Sequence, residues 1–128
     1  MNENAERWIS FARDDLHAAR TLLKEGLTAQ VCFHAQQCAE KSLKALILGA
    51  DQLPPKTHAL SELLRRLPSA PPEELQEGLR DLDVYYLPTR YPDVLPGTAA
   101  DGLPGSADAQ QAMVTAASIL GWVENSLK

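Results

Sequence analysis

The segment from Thr28 to Ala50 constrains the fold more than any other part of the chain. Small and apolar side chains recur at helical spacing around most of its circumference. These positions are Val31, Ala35, Cys38, Ala39, Ser42, Ala45 and Leu46. A helix with so wide an apolar face packs against neighbours on more than one side. We therefore expect this helix at the centre of a helical domain.

Four further helices are predicted from apolar periodicity and from the positions of proline and glycine. They cover about residues 3–24, 58–67, 72–86 and 106–126, and residues 88–105 form a long Pro- and Gly-rich loop. A loop of that length is uncommon in a compact domain unless it is functional or disordered. The prediction is an all-α, up-and-down antiparallel bundle of about five helices, in a single domain over residues 1–128.

Composition limits the function. The net charge of −5 argues against general binding to nucleic-acid backbones, so any such contact must be a local patch. No apolar run has the length of a membrane span, and the first residues lack a signal-peptide pattern, so we expect a cytoplasmic protein without a membrane partner. Cys32 and Cys38 are too far apart on one helix for a disulfide, and neither they nor the three histidines have metal-ligand spacing.

Asp15 does not fit the pattern of the first helix, because it falls inside the apolar stripe. A carboxylate there is costly unless it is paired. Lys41, Lys44 and Arg90 are the candidate partners. We favour a structural ion pair, since such pairs outnumber those in active sites, and keep open that Asp15 anchors a ligand-binding cation.

The second helix carries a narrow polar stripe between its apolar walls. The stripe consists of Phe33, Gln36, Gln37, Glu40, Lys41 and Lys44. Glu40 and Lys44 have the i,i+4 spacing of an exposed ion pair. That spacing does not explain the glutamines or Phe33, so a polar groove or a dimer seam is favoured over a solvated face.

Two other segments are candidate anion sites. Lys56 precedes Thr57, a predicted N-cap, so that cation and the amide groups of the third helix would together attract an anion, although an ordinary capped helix explains the same residues. In the second segment, Arg90 and Tyr91 follow Tyr85 closely. Arginine grips phosphate and tyrosine stacks on bases, but these residues would equally serve to pin a loop.

Taken in order, the segments 36–47, 56–60 and 85–93 resemble the HEPN family of small helical bacterial and archaeal proteins. The resemblance extends from Trp8 to Trp122. It implies a helical bundle that is often a homodimer. Members of the family are often encoded beside a minimal nucleotidyltransferase in toxin–antitoxin-like pairs, so such a protein is the partner that the resemblance implies.

RNase members of the family carry an arginine that is followed, after four to six residues, by a histidine. After Arg90 the corresponding positions are Leu95, Pro96 and Gly97. Metal-independent RNA cleavage needs an acid–base group of this kind, so the resemblance favours a non-enzymatic protein. A metal-independent RNase toxin and a purely structural dimerisation protein are the alternatives.

The sequence therefore predicts a homodimeric module that binds a nucleotide or RNA phosphate. Its predicted ligand-binding residues are Arg90, Lys44, Lys41, Glu40, Gln36, Lys56, Tyr91 and Tyr85. Asp15 is predicted to form a structural ion pair. No catalytic residue, metal or cofactor is assigned.

Overall fold

The computed structural model describes residues 2–86 and 104–128, which contain five α-helices. They are α1 (Glu3–Lys24), α2 (Thr28–Gly49), α3 (Leu60–Arg65), α4 (Glu73–Asp83) and α5 (Ser106–Ser126). The described residues contain no strand, so the predicted all-α class is confirmed. Four of the helices also have close to their predicted bounds, whereas α3 is shorter than expected.

The second helix is central, as its wide apolar face predicts. It contacts each of the other four helices, while α1 and α5 also contact one another. These three long helices form the main core, and α3 and α4 pack at its side. Leu43, Ile47 and Ile119 are among the largest fully buried side chains of that core.

Asn2 joins the start of α1 to the end of α2. Its side-chain oxygen accepts a hydrogen bond from the Ala5 N–H at 2.8 Å, which makes Asn2 the N-cap of α1. Its side-chain nitrogen donates to the Leu48 carbonyl, also at 2.8 Å. The first two helices are therefore antiparallel, and Gly26, with a φ of +75°, forms the turn between them.

The start of α3 differs from the prediction. Thr57 is not its N-cap, because the helix begins only at Leu60. The Asp83 carboxylate accepts instead from the Leu60 N–H at 2.7 Å and the Ser61 N–H at 3.3 Å. Asp83 lies at the end of α4. Since a carboxylate of the chain itself occupies these amide groups, the prediction that the amide groups of α3 attract an anion is wrong.

Both cysteines lie in the core. Cys32 and Cys38 are fully buried and form no disulfide. Burial raises the pKa of each thiol to about 12. Within residues 2–86 and 104–128, no group of three metal-ligating side chains could hold an ion. No helix in these ranges is long and apolar enough to cross a membrane.

Candidate functional site

Glu40 is the centre of a buried cluster on α2. Its side chain is only 4% exposed, yet it contacts two potential cations. Lys44 Nζ donates to Oε2 at 3.0 Å, from the next turn of the same helix. His58 Nδ1 lies 3.0 Å from Oε1 and comes from the segment before α3. The predicted Glu40–Lys44 pair is therefore present, but it is buried rather than solvated.

Two glutamines complete the cluster. Gln36 is fully buried, and its side-chain nitrogen donates to the backbone carbonyl of His58 at 2.9 Å. Gln37 in turn donates to the Gln36 side-chain oxygen at 2.7 Å. These bonds attach the segment before α3 to the central helix. They satisfy polar groups that would otherwise be costly to bury.

A second cluster surrounds Asp15 on α1, which is 8% exposed. Lys41 Nζ donates to Oδ2 at 2.6 Å, and His34 Nδ1 lies 2.9 Å from Oδ1. Of the three candidate partners, the structure thus brings Lys41 to Asp15. The pairing explains how a carboxylate is tolerated on this face of α1.

The two clusters share one design. In each, a buried carboxylate contacts a lysine of α2 and the Nδ1 atom of a histidine. Asp15 contacts Lys41 and His34, and Glu40 contacts Lys44 and His58. An ionised carboxylate only accepts hydrogen bonds, so Nδ1 carries a proton in both. The Nε2 atom of each ring points away from its carboxylate, and the His58 side chain is 54% exposed.

Aromatic rings connect the clusters. The His58 ring stacks on Tyr86, with centroids 4.1 Å apart and planes 10° from parallel. Phe33 contacts both Tyr86, at 6.2 Å, and His34, at 5.5 Å. The two histidines therefore lie at opposite ends of one aromatic row.

A surface pocket of about 310 Å³ opens beside the Glu40 cluster. Its lining consists of Trp8, Lys44, Pro54, Pro55, Lys56, Thr57 and His58. Lys44 Nζ lies 5.6 Å from the centroid of the Trp8 ring, a cation–π distance. The pocket thus joins α1, α2 and the segment before α3.

The predicted site residues fall into separate places. Lys44 and Lys56 both line the pocket, whereas Lys41 forms an ion pair with Asp15 in the second cluster. Glu40 and Gln36 lie buried behind the pocket. Arg90 and Tyr91 lie outside the described residues.

Tyr85 was predicted to stack on a ligand, but it is not among these groups. It packs against the core and forms a hydrogen bond with Cys32, and burial raises the pKa of its hydroxyl. It lines a different pocket with Arg80 and Asp108. Tyr86, the next residue, holds the position beside the Glu40 cluster.

Sequence reasoning assigned no role to His34 or His58. His34 stands seven positions before Lys41, so helical geometry places both on one face of α2, about 10 Å apart along its axis. That spacing, combined with the unexplained Asp15, was the available signal. No comparable signal in the sequence connects His58 with Glu40.

The fold and this site define a class of small all-α protein in which two buried carboxylates each contact a lysine of the central helix and a histidine. The family model for the HEPN domain matches residues 5–126. The chain belongs to the HEPN domain family. No curated protein matches it.

Solved structures agree with that assignment. The chain is similar to the protein TT1696 from Thermus thermophilus, with a TM-score of 0.87 and 39% identity over 97% of this chain and 98% of the other. It is similar to ST0689, an archaeal HEPN homologue, with a TM-score of 0.81 and 34% identity over 99% and 100%. A HEPN domain protein from Thermotoga maritima gives a TM-score of 0.77 and 26% identity over 94% and 97%.

Proposed function

We propose that this chain is a homodimeric module that binds a nucleotide or RNA phosphate. We further propose that it acts as the partner of a minimal nucleotidyltransferase in a toxin–antitoxin-like pair. One observation carries the binding proposal. Lys44, Lys56 and His58 line a single pocket on a chain whose net charge is −5. A local concentration of donors is what an acidic protein needs in order to hold phosphate.

The buried groups behind the pocket support this role. Glu40 fixes both Lys44 and His58, and Gln36 fixes the backbone at His58. A site whose side chains are already held in place loses less entropy when a ligand binds. In this proposal Arg90 and Tyr91, which lie outside the described residues, contribute further contacts to phosphate and base.

Calorimetric titration with a nucleotide or a short RNA tests the binding proposal. Arg90→Lys should weaken binding at least about tenfold, or roughly 1.4 kcal/mol, because lysine cannot grip phosphate in a bidentate way. Arg66→Lys is the matched control, since Arg66 is exposed at the end of α3, and it should leave the affinity unchanged. Unchanged affinity in Arg90→Lys with a much lower melting temperature would show that Arg90 has a structural role instead.

Assembly is tested separately. Light scattering at micromolar concentration should report twice the mass of the 14.0 kDa chain. A monomer would remove the dimer from the proposal and leave the binding site open to solvent. Size-exclusion chromatography with a minimal nucleotidyltransferase encoded beside the gene should give a stable complex, and two separate peaks would argue against that partner.

A metal-independent RNase is the second candidate, and one observation favours it. In both clusters a carboxylate contacts Nδ1 of a histidine, an arrangement that orients imidazole for proton transfer. We nevertheless expect no significant RNA cleavage in the presence of EDTA, because the family's Arg-x4-6-His motif is absent. Cleavage that is lost in His34→Ala or His58→Ala would establish this candidate over the binding module.

A further inference from the structure

The pocket beside Glu40 has the size of a site for one small molecule. Its volume of about 310 Å³ is at the lower end of the range of ligand sites, roughly 300–1,000 Å³. It therefore has room for about one nucleotide and not for a run of several. Its walls come from three separate parts of the fold: Trp8 on α1, Lys44 on α2 and residues 54–58 before α3.

The charge of the pocket is opposite to that of the whole chain. Among the described residues that line it, two are lysines, one is histidine and none is acidic. Glu40, the nearest carboxylate bonded to these groups, is 4% exposed and is not part of the lining. An anion entering the pocket would thus contact Lys44, Lys56 and His58 at its wall, with the Glu40 carboxylate buried behind Lys44 and His58.

The polar groups are held in place before any ligand arrives. Lys44 is fixed between the Glu40 carboxylate and the face of the Trp8 ring. His58 is fixed by Glu40 at Nδ1 and by the stack on Tyr86, which leaves Nε2 directed away from the cluster. Such preorganisation lowers the entropic cost of binding.

Flat apolar surfaces complete the pocket. Trp8 is half-buried. The rings of Trp8 and Phe11 form an edge-to-face contact, with their centroids 6.3 Å apart. Pro54 and Pro55 are also half-buried and line the same pocket. The half-buried indole of Trp8 lines the pocket and therefore offers a stacking surface for a nucleobase.

From these contacts we propose that the pocket binds one nucleotide, with a terminal phosphate monoester on Lys44, Lys56 and His58 and the base against Trp8. This assignment rests on the proposed function and gives its site and ligand class. The same chemistry is offered by a free nucleoside monophosphate and by the 5′-phosphorylated end of an RNA.

Calorimetry with AMP, ribose 5-phosphate and adenosine separates the two parts of the pocket. Trp8→Leu should weaken AMP binding at least about fivefold, because a stacked base is lost, and should leave ribose 5-phosphate within about twofold. Lys56→Met should weaken both phosphates about fivefold, as expected for loss of one exposed cation. Lys24→Met, at the exposed end of α1, is the matched control and should change neither.

The two tryptophans provide an internal reference. In a ¹H–¹⁵N spectrum each gives one indole N–H signal, and Trp8→Phe identifies the signal of Trp8. AMP should shift the signal of Trp8 and leave that of Trp122, on α5, in place. Comparing pApA with unphosphorylated ApA and with AMP then identifies the source: tighter binding of pApA than of AMP indicates an RNA end, and equal binding indicates a free nucleotide.

Failure of the proposed function can be distinguished from failure of the pocket assignment. If the wild-type protein binds none of the phosphorylated probes, the proposed function is wrong and the pocket assignment with it. If the wild type binds AMP but Trp8→Leu and Lys56→Met bind it equally well, and the Trp8 signal does not move, only the pocket assignment is overturned. Weaker AMP binding in Trp8→Leu and Lys56→Met, with Lys24→Met unchanged, supports the pocket assignment.

Discussion

Lys41 Nζ lies 2.6 Å from Asp15 Oδ2, across the interface between α1 and α2. The same carboxylate contacts His34, so Asp15 connects two side chains of the central helix to α1. The Asp15 side chain is 11% exposed, whereas those of Lys41 and His34 are 26% and 31% exposed. The carboxylate is therefore the member of this cluster that depends most on its partners.

We expect Asp15→Ala to lower the free energy of unfolding by about 2 kcal/mol. Removing one member of a fully buried pair costs about 3–5 kcal/mol, and the partial exposure of Lys41 lets water recover some of that loss. Urea denaturation monitored by circular dichroism measures the change. Asp14→Ala, on the exposed side of α1, is the control and should change stability by less than about 0.5 kcal/mol. Equal effects of the two substitutions would contradict the structural importance of the pair.

Glu40 and Lys44 should be energetically coupled. Glu40→Met strands a lysine that is 11% exposed, and Lys44→Met removes a cation from a carboxylate that is 4% exposed. Each single substitution should cost roughly 3 kcal/mol, whereas the double variant replaces the pair with apolar side chains and strands neither charge. The double variant should therefore be at least about 1.5 kcal/mol more stable than the sum of the single effects predicts. Additive losses in urea denaturation would mean that the pair is not coupled.

The helices could be predicted because their information is local. Apolar periodicity and the positions of Gly26 and the prolines set four helices to within a few residues. The start of α3 could not be predicted this way, because its cap, Asp83, lies 23 positions after Leu60. The cap therefore comes from another helix, and not from Thr57, which the local sequence favoured.

The site was predictable only where one helix carries it. The polar stripe with Glu40 and Lys44 could be identified from spacing on α2. The apolar walls argued against a solvated face, and Gln36, Glu40 and Lys44 are buried. His58 could not be assigned, because its contact with Glu40 depends on how the segment before α3 packs. Tyr85 was predicted to bind a ligand on a helix that continued to residue 86, whereas α4 ends at Asp83 and the chain then turns.

Two helical glycines should respond to alanine in opposite directions. A Cβ at Gly78 would lie 2.5 Å from Thr115 Cγ2, where α4 approaches α5, whereas a Cβ at Gly121 meets nothing within 4 Å. Gly78→Ala should cost about 1–3 kcal/mol through overpacking. Gly121→Ala should stabilise by about 0.5–1 kcal/mol, because alanine loses less backbone entropy in a helix.

Thermal denaturation measures both changes. Adding Thr115→Ser to Gly78→Ala removes the clashing methyl group and should restore most of the lost stability. A Gly78→Ala variant that is not destabilised, or that serine at position 115 does not rescue, would show that α4 and α5 are not in close contact there. A destabilised Gly121→Ala variant would contradict the open space around Gly121.

The buried thiols should make the protein less stable in alkali. Burial raises the pKa of Cys32 and Cys38 to about 12, from an ordinary value of 9.0, so the folded state retains protons that the unfolded chain releases. The stabilisation is fully present below about pH 9 and is lost as the pH rises towards 12. For each thiol, the free energy of unfolding should fall by about 1 kcal/mol between about pH 8 and pH 10.

Urea denaturation at intervals between about pH 7 and pH 10 measures this loss, and a Cys32→Ala, Cys38→Ala double variant is the control. The variant should be less stable throughout, because it leaves small cavities, but its stability should change less with pH. In the native wild type at about pH 8, both thiols should also resist a thiol reagent such as DTNB and react once urea unfolds the chain, since the thiolate is the reactive form. Rapid labelling of the native protein, or equal pH dependence in the double variant, would contradict the burial of these groups as the cause.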